Sequence, residues 1–179
     1  KVAIPAAVHE VIRVACVGDS ITFGSQSVAN TRNYPTALQE KLGAGYLVKN
    51  FGVSGATMRN TADKPYTKQP EYAASKAFLP DIVIIMLGTN DGKSHNWSIG
   101  GTEAAYTEDA VALIEAYRSL ESKPEIYFMT SPTAHDRGTA QSRYKIIPSN
   151  VNEEIVPLQG LVAYEEKCHF IDMNLATKN

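Results

Sequence analysis

Three polar clusters, each just after a glycine that ends an apolar segment, have the residue types needed for acyl transfer. They are Asp19-Ser20 after Gly18, Ser54-Gly55 after Gly52, and Thr89-Asn90-Asp91 after Gly88. If the apolar segments are parallel strands of one sheet, the clusters meet at its carboxyl edge. Ser20 would then supply a nucleophilic hydroxyl. The backbone N–H groups of Ser20 and Gly52 and the side-chain amide of Asn90 would supply donors for an oxyanion.

Each of these residues also has an ordinary structural role. Ser20 can cap a helix N-terminus, Gly52 can be a turn glycine, and Asn90 can stabilise a turn through its amide. The segment VACVGDSITFG is not a G-x-S-x-G nucleophile elbow, because Thr22 stands where the second glycine is required. It also lacks the glycine-lysine chemistry of a phosphate-binding loop. The presence of the two downstream clusters favours the nucleophile over the cap.

Apolar segments that alternate with helical ones must position these clusters. The predicted strands are residues 11–17, 46–51, 81–87, 125–130 and 169–172. The predicted helices are residues 35–42, 102–122 and 149–167, the last with a kink at Pro157. The third strand, DIVIIML, is nearly continuous in β-branched residues, which is typical of a strand covered on both faces. The pattern predicts a three-layer α/β/α fold with a flavodoxin-like parallel sheet of about five strands.

Size and composition limit the partners. The 179 residues suit a single domain spanning positions 1–179. The net charge of −2 gives no basic footprint for nucleic acid or anionic lipid, and no apolar run approaches the roughly 20 residues of a membrane span. We therefore expect a small-molecule partner and no nucleic acid or membrane. The oligomeric state is left open.

The cysteines and histidines predict neither a metal nor a cofactor. Cys16 and Cys168 lie in apolar segments and are expected to be buried free thiols, and the four histidines are too scattered for a metal site. The chain begins at Lys1 rather than Met, which indicates a trimmed product from which any signal peptide would be gone. Localisation stays open, with a secreted or periplasmic one favoured.

The motifs GDSITFG, NFGVSGATM and LGTND, in this order and spacing over residues 14–91, resemble the first three blocks of the SGNH (GDSL-type) hydrolases. The resemblance implies that Ser20 is the nucleophile. It also implies that the Ser20 N–H, the Gly52 N–H and the Asn90 side chain form the oxyanion hole. A serine esterase working through a Ser20 acyl-enzyme follows from it. The alternative is a binding module, either an inactive relative or an unrelated flavodoxin-like domain.

The catalytic base of that family is a histidine in a D-x-x-H motif after the last strand, and no histidine of this chain has an aspartate three residues before it. Glu166 and His169 have a similar spacing, but they lie too early in the chain. His95, in the loop after the third strand, is a candidate to line the pocket, and His135, after the fourth strand, is a weaker candidate. The simplest account is that the chain stops before the base, so we expect little or no hydrolase activity from these 179 residues alone.

Two loop segments, DKPY at 63–66 and GKSHNW at 92–97, flank the predicted site. They are similar to loops of SGNH esterases that act on acetylated sugars, such as sialate or xylan O-acetylesterases. That similarity implies an acetyl ester of a carbohydrate as substrate. We expect Asp19, His95 and Trp97 to contact it. The alternatives are a solvated loop histidine for His95 and simple loop packing for Trp97.

Overall fold

A computed structural model describes residues 11–25, 32–136 and 144–178 and places a five-stranded parallel sheet at the centre of the chain. The strands are β1 (Ile12–Gly18), β2 (Tyr46–Gly52), β3 (Ile82–Met86), β4 (Glu125–Met129) and β5 (His169–Ile171). Their order is β2-β1-β3-β4-β5, and every neighbouring pair is parallel. This is the flavodoxin-like order. The predicted α/β fold is confirmed, and the predicted strand ends differ from these by one residue at most.

Six α-helices lie in the described part of the chain. They are α1 (Ser20–Phe23), α2 (Tyr34–Leu42), α3 (Pro70–Ala77), α4 (Glu103–Arg118), α5 (Val156–Glu165) and α6 (Met173–Ala176). Short 3₁₀ turns at Gly43–Gly45 and Tyr66–Lys68 precede β2 and α3. The sequence pattern did not predict α1, α3 or α6, of which α1 and α6 are only one turn long.

Alternate residues of β1 face opposite sides of the sheet, as the two-residue period of a strand requires. Val14 and Cys16 belong to a smaller apolar cluster that includes Leu38 of α2. Ala15 and Val17 belong to a larger one, which buries side chains of α4 and α5. Helices therefore cover both faces, and the polar clusters are left at the ends of the strands.

The predicted kink at Pro157 takes the form of a widened helical turn. Residues Asn150–Ile155 are π-helical, and Pro157 is the second residue of α5. A proline has no N–H to donate, so it is tolerated at the beginning of a helix.

The thiol prediction is confirmed for Cys16, which is fully buried, and burial raises its pKa to about 12. Cys168 is also a free thiol, but the prediction of its burial is wrong, because it is only half-buried, with its Sγ 3.7 Å from a guanidinium nitrogen of Arg118. Among the residues placed by the structure, no helix has both the length and the apolar character needed to cross a membrane.

Candidate active site

A cleft of about 890 Å³ lies at the carboxyl edge of the sheet, where the strand order reverses between β1 and β3. The ends of the first three strands bring the three polar clusters to this edge. The described residues that line the cleft are Ser20, Ile21, Gly24, Ser25, Arg32, Ser54, Gly55, Thr89, Asn90, Lys93, His95, Tyr144, Lys145 and Ile146. The cleft thus joins one residue or more from each cluster, although the clusters are far apart in sequence.

Ser20 is the first residue of α1 and stands in the wall of the cleft. It is not the helix cap, because the Asp19 carboxylate holds that position and accepts a hydrogen bond from the Ile21 N–H at 2.8 Å. Within the described ranges the Ser20 hydroxyl has no hydrogen-bond partner. The capping alternative for Ser20 is therefore wrong, and the hydroxyl is left facing the cleft.

Gly52, predicted as an oxyanion donor, does not line the cleft. It is the last residue of β2, and its N–H already donates to the Asn50 Oδ1 at 2.9 Å. A Cβ at this position would lie 2.3 Å from the backbone nitrogen of Phe23. Gly52 is thus a glycine because α1 packs directly against β2, and the prediction that its N–H faces the substrate needs correction.

Gly55, three residues further on, stands in the cleft wall instead. Its φ of +83° lies in the left-handed region that favours glycine. No other described residue accepts a hydrogen bond from its N–H. The sequence signal was the Ser54-Gly55 pair, which is typical of a turn after a strand, whereas Gly52 still belongs to the strand.

Asn90 lies beside this turn and is 6% exposed. Its Nδ2 donates to the carbonyl oxygen of Ala56 at 3.1 Å and to the Asp19 Oδ2 at 3.3 Å. The Asn90 amide therefore links the turn that contains Gly55 to the start of α1. A side-chain amide in this place can donate to an oxyanion without changing its charge with pH.

Asp19 lies beneath the cleft and does not line it. It is 1% exposed, and both of its carboxylate oxygens accept hydrogen bonds from the protein. Burial raises its pKa to about 6, against the opposing effect of those bonds and of the Lys93 charge. The prediction that Asp19 contacts the substrate is thus wrong for this conformation.

Asp91 anchors the loop that follows β2. It is fully buried, and its carboxylate accepts hydrogen bonds from the Met58 N–H at 2.8 Å and the Arg59 N–H at 2.9 Å. Burial raises its pKa to about 7, although the two backbone donors and the Arg59 charge oppose that shift. The last residue of LGTND therefore fixes the loop that presents Gly55.

The two buried carboxyl groups predict a fall in stability with rising pH. Their pKa values are raised from 3.8 to about 6 for Asp19 and about 7 for Asp91. Between pH 4 and 7 the folded chain therefore binds more protons than the unfolded chain, so raising the pH disfavours folding. We expect the free energy of unfolding to be about 4 kcal/mol lower at pH 8 than at pH 5. Urea titrations at both pH values measure this difference in the free energy of unfolding. The difference should be smaller in Asp91→Asn. Equal stabilities of the wild-type protein at the two pH values would contradict the raised pKa values of Asp19 and Asp91.

The two loop segments meet at the rim of the cleft. Asp63 accepts hydrogen bonds from Lys93 Nζ and His95 Nε2, both at 3.0 Å, and from Asn96 Nδ2 at 2.8 Å. Partial burial raises the pKa of Asp63, but these hydrogen bonds outweigh it and lower the pKa to about 2. Lys93 and His95 line the cleft, so the predicted place of His95 agrees with the structure.

Trp97 is not part of the cleft. It is 6% exposed, belongs to the larger core cluster, and has its ring centroid 5.9 Å from that of Tyr106, at an interplanar angle of 73°. The packing alternative is therefore the correct one, and the predicted substrate contact of Trp97 is wrong.

Neither His135 nor His169 lies in the cleft wall. His169 is exposed at the amino end of β5, 3.4 Å from the Glu125 Oε2, and Glu166 pairs with Arg118 at 2.7 Å. The Glu166–His169 spacing thus has no catalytic geometry, because both side chains lie away from Ser20. His135 is exposed after β4, and His9 lies outside the described residues.

The sheet order defines a flavodoxin-like α/β fold, and the serine-containing turn after β1 gives it a candidate acyl-transfer site at the strand-order reversal. The chain belongs to the GDSL-like lipase/acylhydrolase family, whose profile matches residues 16–179. It is 35% identical over 195 residues to an acetylxylan esterase of Xylanibacter ruminicola. That match covers 98% of this chain and 39% of the relative, so the chain spans about two fifths of that protein's length.

Solved structures share the fold. A carbohydrate acetylesterase family member from Sinorhizobium meliloti superposes with a TM-score of 0.70 at 25% identity, covering 92% of this chain and 84% of that one. The inhibitor-bound aryl esterase of M. smegmatis gives a TM-score of 0.72 at 20% identity, covering 92% and 85%. The second likeness concerns the fold alone.

Proposed function

We propose that this chain is the core of a serine esterase that removes a short acyl group, acetyl in particular, from a carbohydrate. The observation that carries the proposal is the meeting of Ser20, Gly55 and Asn90 in one cleft at the carboxyl edge of the sheet. The acetylxylan esterase and carbohydrate acetylesterase names of the relatives support the reaction and the substrate class.

In the proposed reaction, the Ser20 Oγ attacks the ester carbonyl carbon and its proton passes to a base. The N–H groups of Ser20 and Gly55 and the Asn90 amide donate to the oxyanion of the tetrahedral intermediate. Collapse releases the alcohol, which takes up the proton, and leaves an acetyl group on Ser20. Water then hydrolyses this acyl-enzyme through a second tetrahedral intermediate.

The family resemblance assigns the base to a D-x-x-H histidine, a motif that these 179 residues do not contain. We therefore propose that they have little turnover by themselves. Comparison of the 179-residue chain with the full-length gene product, each assayed on p-nitrophenyl acetate, tests this. Equal turnover of the two would contradict it and would place the base within residues 1–179.

The character of the cleft wall supports a small polar ester. Lys93 and His95 give it a polar side, while Ile21 and Ile146 give it a short apolar one. A sugar needs hydrogen-bonding groups for its hydroxyls, and an acetyl group needs only a small apolar contact.

The direct test measures acetate release from acetylated xylan by the full-length gene product, together with hydrolysis of p-nitrophenyl acetate and p-nitrophenyl octanoate. We expect acetate release from the polysaccharide and a preference for the acetyl over the octanoyl ester. Hydrolysis of the octanoyl ester alone would contradict the substrate class. Absence of all ester hydrolysis would favour the binding-module alternative.

His95 is expected to contribute to substrate binding. Its side chain is 44% exposed in the cleft wall and is oriented by Asp63. Loss of one hydrogen bond to the sugar predicts that His95→Ala raises KM about three- to tenfold with little change in kcat. Steady-state kinetics measure both constants. His169→Ala, at the opposite edge of the sheet, is the matched control, and an unchanged KM for His95→Ala would remove His95 from the binding site.

A further inference from the structure

We propose that the Asp19 carboxylate is a positioning residue that sets the orientation of the Asn90 amide while it starts the helix that presents Ser20. The catalytic consequence rests on the proposed function, but the structural statement does not. No step of the reaction itself uses Asp19, since the residue lies beneath the cleft.

One carboxylate connects two separate elements. Its Oδ1 accepts from the Ile21 N–H at 2.8 Å in the first turn of α1. Its Oδ2 accepts from the Asn90 Nδ2 at 3.3 Å, in the loop after β3. At 1% exposure Asp19 is shielded from bulk solvent, and the Thr89 side chain is a further hydrogen-bonding neighbour. Any change in its acceptor ability therefore acts on both the nucleophile's helix and the oxyanion donor.

An asparagine amide needs such a partner because its oxygen and nitrogen ends have nearly the same shape. If the amide of Asn90 were turned over, it would present an acceptor to the oxyanion and repel it. The Ala56 carbonyl and the Asp19 Oδ2 are both acceptors, so they select the orientation with Nδ2 on their side. Of the two bonds from the Asn90 Nδ2, the one to Asp19 is longer than the one to the Ala56 carbonyl. The N–H that points toward Asp19 can therefore also donate to a developing oxyanion.

The charged and titratable groups around Asp19 come from α2 and from the loop after β3. Lys93, in the loop after β3, stabilises the carboxylate, and the phenol of Tyr34, on α2, faces it. Asp91 and His95 are the other titratable groups close to Asn90 in sequence, and of these His95 lines the cleft while Asp91 is fully buried. Burial raises the pKa of Asp19 to about 6. A protonated carboxyl is a weaker acceptor, so the hold on Asn90 should loosen below that pH.

The substitution Asp19→Asn separates the two bonds. Asparagine caps a helix as well as aspartate does, so the contact to the Ile21 N–H is kept. The new amide nitrogen, however, would face the Asn90 Nδ2, which places a donor against a donor. Asp172→Asn is the matched control, because Asp172 caps α6, a helix of the same length, through a bond from the Leu175 N–H at 2.9 Å.

The first measurement is the ¹H–¹⁵N side-chain amide signal of Asn90, assigned by its loss in Asn90→Ala and followed from pH 4.5 to 8. We expect a transition near pH 6 in the wild-type protein and in Asp172→Asn, and its absence in Asp19→Asn. A second transition near pH 7 that disappears in Asp91→Asn would belong to Asp91. A wild-type signal without the lower transition, or one that persists in Asp19→Asn, would overturn the inference.

The second measurement is kinetic and uses the full-length gene product. We expect Asp19→Asn to lower kcat for p-nitrophenyl acetate about ten- to a hundredfold, with KM within about twofold, and Asp172→Asn to leave both unchanged. An unaltered kcat in Asp19→Asn would overturn the positioning role. Ser20→Ala in the same assay separates the two proposals: if it retains activity, the proposed function fails, while the amide titration still decides the role of Asp19.

Discussion

Replacing Ser20 with alanine is expected to lower ester hydrolysis by the full-length gene product at least about a thousandfold. The substitution removes the oxygen that would form the acyl-enzyme, and the oxyanion donors alone leave only a small residual rate. The fold should be unaffected, because Asp19 rather than Ser20 caps α1 and alanine is favourable in a helix. Initial rates on p-nitrophenyl acetate and a thermal melt of the same sample measure the two effects.

Ser119→Ala provides the control for the loss of a serine hydroxyl. Ser119 follows α4, and its hydroxyl donates to the Ala116 carbonyl at 2.9 Å, away from the cleft. Its activity should match the wild type. If Ser20→Ala kept a tenth of the wild-type rate or more, attack by Ser20 would be excluded. Another group would then have to be the nucleophile.

The sheet could be predicted from the sequence because its signal is local and repeated. Each strand is a short apolar run that ends at a glycine or a polar residue, and the strand ends were placed within one residue. The meeting of the clusters after β1, β2 and β3 followed from parallel topology alone. Ser20 and Asn90 were found in this way, since both lie directly after a strand on either side of the order reversal.

The errors at Asp19 and Trp97 concern the direction in which a side chain points, which the sequence pattern does not contain. Asp19 is adjacent to Ser20 in sequence, but the first turn of α1 directs its carboxylate inward, where two donors meet it. Trp97 lies in a loop whose other residues reach the cleft, yet its ring packs on Tyr106 in the core. In both cases, tertiary packing decided between two outcomes that were equally compatible with the sequence.

The choice between Gly52 and Gly55 as oxyanion donor yields the second large prediction. Ala at position 52 would place its Cβ 2.3 Å from the Phe23 nitrogen and 2.8 Å from the Thr22 carbonyl carbon, both backbone atoms that cannot rotate away. We expect Gly52→Ala to lower the free energy of unfolding by about 3 kcal/mol and, by displacing α1, to lower activity as well. Urea denaturation of the purified variant measures the stability.

Gly55→Ala should behave differently, because a Cβ there meets only Lys64 Cδ, at 3.6 Å. The substitution conflicts instead with the φ of +83°, at a cost of about 1 to 2 kcal/mol. If the backbone relieves this strain by turning the peptide that carries the Gly55 N–H, the proposed oxyanion donor is displaced, so the folded variant should lose kcat about tenfold or more and change KM little. A stable Gly52→Ala protein with lowered kcat, beside a fully active Gly55→Ala protein, would return the oxyanion role to Gly52. An unstable Gly52→Ala protein beside a folded Gly55→Ala protein with lowered kcat would instead assign the third oxyanion donor to the Gly55 N–H. At that turn the chain can reorient a peptide without moving α1, the helix that presents Ser20.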